Sequence, residues 1–332
     1  MESVAVMGFS DVLGHLGDIR RARRGVRALL ADRESSIFLP IDAPGLNLGL
    51  ARDAHRHGRR VLYYVCPQIW AWGAGRVRRL REDVDMTLLL FRFEEALLAN
   101  AGVRARWVGH PAGGLRPDPE ARRRARAALG VGGEDRLLAL LPGSRRGEVS
   151  RHLGPMLDAA TRLAATHAGL RVMVSDAGHV GAAARRPDVA PAWRAIDPGV
   201  HAGLAESLLS GADLALVASG TATLETAALG VPLVLVYRTG ALNYAIARRV
   251  VTLKRIGLVN IVLDEDVVPE CIQGEATGAS IAAAAAPLLA GGAAAERQRA
   301  AFARLPDRLG GAGAAERAAD AVAAFALEPG SR

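Results

Sequence analysis

Between Ser36 and Tyr237 the sequence alternates short apolar runs with helix-patterned stretches, and that alternation restricts the fold more than any other feature. One series of runs is "SIFLPI" (36–41), "VLYYVCP" (61–67), "MTLLLF" (86–91) and "RWVGHP" (106–111). A second is "RLLALLPGS" (136–144), "RVMVSD" (171–176), "LALVAS" (214–219) and "VPLVLVY" (231–237). Stretches such as "LNLGLARDAHRHG" and "FEEALLANAG" lie between them and read as crossover helices over parallel sheets. The Ala-rich stretches 279–290 and 313–326 also read as helices.

The 332 residues suffice for two α/β cores. Residues 112–135, rich in Gly and Pro around a basic helix, read as a linker. The expected architecture is therefore α/β, with two Rossmann-like doubly wound domains over 1–112 and 113–332 and a cleft between them. The last helix is expected to pack back on the N-terminal domain. Ligands belong at the carboxyl ends of the strands.

Composition narrows the function. No apolar run approaches the ~20 residues a membrane span needs, and the start shows no signal-peptide pattern. Cys66 and Cys271 lie far apart and read as buried free thiols. The histidines show no ligand spacing, so neither a metal nor another cofactor is expected. The net charge of +8 is almost wholly arginine, since Lys254 is the one lysine. Base composition, an acidic substrate or an anionic membrane surface each account for it. Nucleic acid is not expected, because the arginines are not interleaved with aromatics.

Several segments carry chemistry. "IFLPIDAPGLN" ends a strand in Asp42, which either caps the following helix or takes a proton. "LLPGSRRGEV" is a strand, a Pro-Gly turn and a helix start, where free N–H groups and Arg145 would attract an anion. "LVASGTATLETAALG" repeats the pattern: Gly220 opens the backbone to a phosphate, and Ser219, Thr221 and Thr223 offer hydroxyls. Glu225 either accepts both ribose hydroxyls or simply favours the helix N-terminus. Two such turns without a Walker lysine or a G-x-G-x-x-G fit a nucleotide-sugar. "YYVCPQIWAW" places Gln68, Trp70 and Trp72 after a strand, for stacking on a sugar or lipid or for packing between domains. "VLGHLGDIRRARRGVRALL" (12–30) is a basic amphipathic pattern that suits an anionic membrane or a crossover helix.

In order along the chain, "IDAPGLNLGLA", "YYVCPQIWAW", "FEEALLANAGV", "WVGHP", "LLPGSRRGE", "ASGTATLETAALGVPLVLVYR" and, more weakly, "LVNIVLDEDVVPECIQ" resemble the lipid-A-disaccharide synthase family, GT-B glycosyltransferases. The resemblance implies inverting transfer from UDP-2,3-diacylglucosamine to the 6-hydroxyl of 2,3-diacylglucosamine 1-phosphate. It implies Asp42 as general base. Donor contacts would be Gly143, Ser144, Arg145, Ser219, Gly220, Thr221, Glu225 and Asn260. Asn47, Gln68, Trp70 and His110 would line the acceptor side. Val12, Leu13, Leu16 and Ile19 would touch the cytoplasmic face of the inner membrane, and a homodimer is compatible with the resemblance. The family's opening strand and Gly-Glu-x-Ser-Gly-Asp turn are not found, so about two βα units are expected to be missing from the N-terminal domain. A late start site, a decayed gene or a short form completed by a partner would each explain that. The alternatives are a peptidoglycan N-acetylglucosaminyltransferase, a UDP-N-acetylglucosamine 2-epimerase and an inactive UDP- or lipid-binding remnant.

Overall fold

The computed structural model describes residues 16–31, 37–69, 74–240, 244 and 255–328. The chain forms two compact units, one of Met1–Pro111, Ala241–Leu253 and Leu309–Arg332, the other of Ala112–Gly240 and Lys254–Arg308.

The first unit runs α1 (Leu16–Ala31), β1 (Ile37–Phe38), α2 (Pro44–Arg56), β2 (Arg60–Tyr64), α3 (Ala74–Asp83), β3 (Met86–Leu89), α4 (Phe93–Asn100) and β4 (Ala105–Trp107). Its four described strands lie side by side in chain order, all parallel, with Ile37 opposite Arg60, Leu62 opposite Met86 and Leu88 opposite Arg106. Alternate side chains serve opposite faces. Val61, Tyr63 and Leu89 join Leu48, Leu80 and Leu98 in one apolar cluster, while Leu62, Met86 and Leu88 face the other way.

β1 is shorter than its apolar run because Pro40 has no N–H to give a ladder. Its carbonyl still accepts from Tyr64 N at 2.9 Å, and Ile41 makes an isolated parallel bridge to Tyr64. Asp42 N then donates to Tyr64 O at 2.9 Å, so the run ends pinned to β2.

The second unit runs α5 (Pro119–Ala128), β5 (Arg136–Leu141), α6 (Arg146–Ala164), β6 (Leu170–Ser175), α7 (Val180–Ala184), α8 (Ala190–Ile196), β7 (Gly199–His201), α9 (Ala205–Gly211), β8 (Leu214–Ala218), α10 (Thr221–Ala228), β9 (Leu233–Tyr237), α11 (Leu258–Leu263), β10 (Glu270–Ile272), α12 (Gly278–Leu289), α13 (Ala293–Phe302) and α14 (Leu305–Leu309). The six parallel strands stand in the order β10-β9-β8-β5-β6-β7. The chain builds outward from β5 to β7 and then returns to the other side of β5 with β8. That reversal creates a switch point, with Leu141 registered against Val217. Leu138, Leu140, Leu214 and Leu216 are fully buried with Leu153, Met156 and Leu157 of α6. Each such leucine stabilises the fold by about 1.5–3 kcal/mol relative to exposure.

Residues 112–135, read from the sequence as a linker around a basic helix, fall within the second unit. Arg122 and Arg126 of α5 donate to the Asp213 carboxylate at 2.7 and 3.0 Å, and Asp213 also accepts from Leu137 N at 2.8 Å. These charge-assisted bonds fasten α5 to the second sheet.

The chain closes with α15 (Ala314–Leu327), which belongs to the first unit. Its small Ala318 and Ala321 allow close approach, and Phe325 fills the cluster of Leu62, Met86, Leu88 and Val108. The Arg60 guanidinium lies 4.0 Å from the Phe325 ring centre and donates to Phe325 O and Glu328 O. Arg104 holds the Glu328 carboxylate through two bonds of 2.9 and 2.6 Å.

Candidate functional site

Asp42 sits where β1 turns into α2. It and Ala43 both adopt left-handed backbone, with φ 48° and 44°. For non-glycine residues this costs on the order of 1–3 kcal/mol each, and such strain gathers at functional turns. The surroundings hold it in place. Tyr63 Oη donates to Asp42 O at 2.6 Å, and Asn47 Nδ2 donates to Asp42 O at 2.8 Å and to Ile41 O at 3.0 Å. Burial and the nearby Asp42 carboxylate push the Tyr63 phenol well above its ordinary range, so it stays a donor.

The capping reading of Asp42 is corrected by this geometry. The N-cap of α2 is Ala43, with no side-chain cap and Pro44 in the first turn. Asp42 is exposed, and among the described residues no hydrogen bond or ion pair engages its carboxylate. An oxygen with free lone pairs on a fixed backbone can accept a proton.

The other first-unit residues divide. Gln68 is exposed on the segment after β2, behind the buried Cys66. Trp70, Trp72, Val12 and Leu13 lie outside the described residues, as do the side chains of Leu16 and Ile19. His110 is 4% exposed and stacks on Phe91 at 5.5 Å, and burial pushes its imidazole down to about 4. It is a neutral packing residue at ordinary pH.

In the second unit both glycine turns stand at the switch point, after the adjacent strands β5 and β8. Gly143 has φ 114°, and a Cβ there would come 2.6 Å from Glu148. Glu148 folds back over this turn: one carboxylate oxygen accepts from Ser144 N at 3.1 Å and Arg145 N at 3.3 Å, the other from Arg145 Nη1 at 2.8 Å. The amides and guanidinium expected to hold a phosphate thus already hold an anion, supplied by the chain. Sequence reasoning missed Glu148, although a glutamate in the first turn of a helix is the signature of a capping box.

After β8, Gly220 has φ 153°, and open space lies where its Cβ would be. Ser219 and Thr221 are partly or fully exposed, and among the described residues their hydroxyls carry no hydrogen bond. Thr223, read as a third hydroxyl donor, is buried and donates instead to Gly220 O at 2.7 Å, which steadies the turn. Glu225 lies one turn into α10. Burial, and then the neighbouring Glu206, raise its carboxyl above the ordinary range.

Asn260 departs from its expected donor contact. It is 2% exposed; its Nδ2 donates to Val268 O at 2.8 Å and Glu270 Oε1 at 2.9 Å, and its Oδ1 accepts from Val267 N and Val268 N. Both polar atoms are spent bracing the segment before β10.

Two further residues shape these strand ends. His152, on α6, is 1% exposed; its Nδ1 bonds Pro142 O and its Nε2 accepts from Arg238 N, both at 2.9 Å. Gln273 accepts from Thr239 N at 2.6 Å and donates back to Thr239 O.

One side of α1 packs on α2. Arg27 and Arg23 reach Asp53 on α2 at 2.7 and 3.2 Å, and Leu30 is buried. Among the described residues no single helix is long and apolar enough to cross a membrane.

A family model described as lipid-A-disaccharide synthetase matches residues 1–325. Among curated relatives, lipid-A-disaccharide synthase of Anaeromyxobacter sp. (strain K) is 39% identical over 97% of this chain and 83% of its own length. The enzyme of the same name from Geobacter sulfurreducens is 37% identical over 96% and 83%, and that of Pseudomonas aeruginosa 38% over 87% and 76%. Among solved structures, a putative UDP-N-acetylglucosamine 2-epimerase from Listeria monocytogenes aligns with a TM-score of 0.58 at 11% identity, covering 90% of this chain and 78% of that one. Anabaena HepE in complex with UDP and glucose aligns at 0.55 and 12%, covering 92% and 81%. These likenesses show the fold, two Rossmann-like domains of the GT-B type.

Proposed function

The chain belongs to the lipid-A-disaccharide synthase family and is a glycosyltransferase of lipid A biosynthesis, acting on a UDP-sugar and a lipid acceptor; from that premise we propose its reaction and the roles of its residues. The donor is UDP-2,3-diacylglucosamine and the acceptor 2,3-diacylglucosamine 1-phosphate. The acceptor 6-hydroxyl oxygen attacks the anomeric carbon opposite the diphosphate. Its proton passes to Asp42, the bond from that carbon to the diphosphate oxygen breaks, and configuration inverts. Disaccharide 1-phosphate and UDP are the products.

The observation that carries this reading is the pair of glycine turns on adjacent strand ends at the β5/β8 switch point, where open α/β sheets bind ligands. Negative charge grows on the leaving diphosphate as the bond breaks. The Ser144 and Arg145 amides beside Gly143, the Arg145 guanidinium, the open backbone at Gly220 and the hydroxyls of Ser219 and Thr221 oppose that charge. Glu148 gives up its bonds to the first turn as the diphosphate arrives. Glu225 accepts from the ribose hydroxyls. Asn47 and Tyr63 keep the Asp42 turn in place, and Gln68 and Trp70 contact the acceptor sugar. Asn260 and His110 are not assigned a ligand, because both are committed internally.

Because both substrates carry acyl chains, the protein works peripherally, at the cytoplasmic face of the inner membrane, with Val12, Leu13, Leu16 and Ile19 as the contact. The test is transfer with the acceptor held in anionic vesicles. Disaccharide 1-phosphate and UDP should form in equal amounts while the protein floats with the vesicles, and substituting Leu16→Glu with Ile19→Glu should abolish flotation. No product from the two named substrates would refute the reaction; unchanged flotation of the double variant would refute the contact.

A further inference from the structure

His152 is almost fully buried, yet it is neither a packing residue alone nor part of the charge-bearing set just described. Its ring spans two backbones. Nδ1 meets Pro142 O, in the turn after β5, and Nε2 accepts from Arg238 N, just past β9, each at 2.9 Å. The partners fix the tautomer: a carbonyl can only accept, so Nδ1 carries the hydrogen, and an amide N–H can only donate, so Nε2 carries the lone pair. Burial lowers its affinity for a proton and keeps this form.

The strand order gives the contact its meaning. β8 lies between β5 and β9, so the Gly220 turn is flanked by the two segments that His152 joins. Ser219 N donates to Val236 O, and Gln273 holds Thr239 at both its N–H and its carbonyl. The Tyr237 ring lies 6.4 Å from the imidazole, at the end of β9. The ends of β5, β8 and β9 are therefore braced as a set, with β10 tied to β9 by Gln273, and His152 is the cross-tie between the segments after β5 and β9.

We propose that His152 is a positioning residue for the donor: it clasps the turn after β5 to the segment after β9 and so fixes the spacing of the amides and hydroxyls that meet the diphosphate. It touches no substrate. Its effect is on donor affinity, and it rests on the reading of the two glycine turns as the diphosphate site.

The test compares two polar variants that keep different ends of the clasp. His152→Asn retains a polar atom near the Nδ1 position and nothing at Nε2; His152→Gln places an oxygen near Nε2, able to accept from Arg238 N. Losing that acceptor leaves a buried N–H unpaired, which corresponds to about a tenfold change in an equilibrium. The KM for the UDP-sugar should rise about tenfold in His152→Asn and return to within about threefold of the parent in His152→Gln. The acceptor KM should stay unchanged in both. Equal donor KM values in the two variants, or a parental value in His152→Asn, would overturn the proposal. Calorimetric titration with UDP separates this from the reaction itself. If the parent binds UDP and the variants keep the same order without any transfer, the clasp stands and the proposed reaction falls. If the parent does not bind UDP, both fall.

Discussion

Gly143 and Glu148 show how one residue type requires another. The left-handed glycine makes room for the glutamate, and the glutamate occupies the donors that the turn exposes. An anionic ligand arriving at Ser144 and Arg145 must displace a carboxylate already present. Glu148→Gln keeps an oxygen for the amides and removes the competing charge. It should tighten UDP binding by about three- to tenfold in calorimetry, since one charge-assisted bond to Arg145 no longer competes; weaker or equal binding would make Glu148 a helix cap only. Glu225 gives a pH prediction. Its carboxyl is raised by burial and by Glu206, and only its ionised form accepts from both ribose hydroxyls. UDP affinity should therefore fall on acidification at a higher pH than an ordinary glutamate would give, and Glu225→Gln should flatten that limb while binding more weakly throughout.

At the scale of elements, the apolar runs were legible, those of the short β1 and β4 included, and two short strands outside such runs were not. "RLLALL" and "LALVA" announce fully buried parallel strands, and they occupy the centre of the second sheet. Three-residue strands such as Gly199–His201 and Glu270–Ile272 are too short to show any alternation. Asp42 and the glycine turns could be picked out as candidates because strand ends carry function in this architecture. Side-chain bonds across sequence distance could not be: that Asn260 is consumed by Val267, Val268 and Glu270, or that His152 reaches Arg238, emerges only from folding. Within the basic pattern of α1, Arg23 and Arg27 converge on Asp53, whereas Arg20, Arg21 and Arg24 are exposed. Their bonds hold the Asp53 carboxyl below its ordinary range, Arg27 most strongly. The stabilisation is present above the unfolded-state pKa and is lost as pH falls through the lowered one. The two arginines are 40% and 50% exposed, so solvent screening limits the effect. Asp53→Asn should cost about 1 kcal/mol in denaturant melts at neutral pH and make stability less dependent on acid. An unchanged midpoint would return the pair to surface decoration.

Taken as a whole molecule, the described residues build two parallel sheets, and Asp42, Ser219 and Thr221 stand in the turns that follow strands. The first unit is assembled from both ends of the sequence, since α15 returns to cover the face of β2 and β3 with Phe325. The second carries the two glycine turns, among internal carboxylate, imidazole and amide groups that bond their backbone or neighbouring strand ends. Family membership assigns the reaction class, and the first unit offers in Asp42 a carboxylate that nothing among the described residues engages. The division of labour makes a sharp distinction between proton transfer and donor binding. It is tested most directly by Asp42→Asn, measured for disaccharide formation and for UDP affinity in the same preparation. Loss of the base should lower kcat by about 100-fold or more while the UDP dissociation constant stays within about twofold of the parent. Turnover at the parental rate, or loss of UDP binding together with turnover, would contradict the assignment.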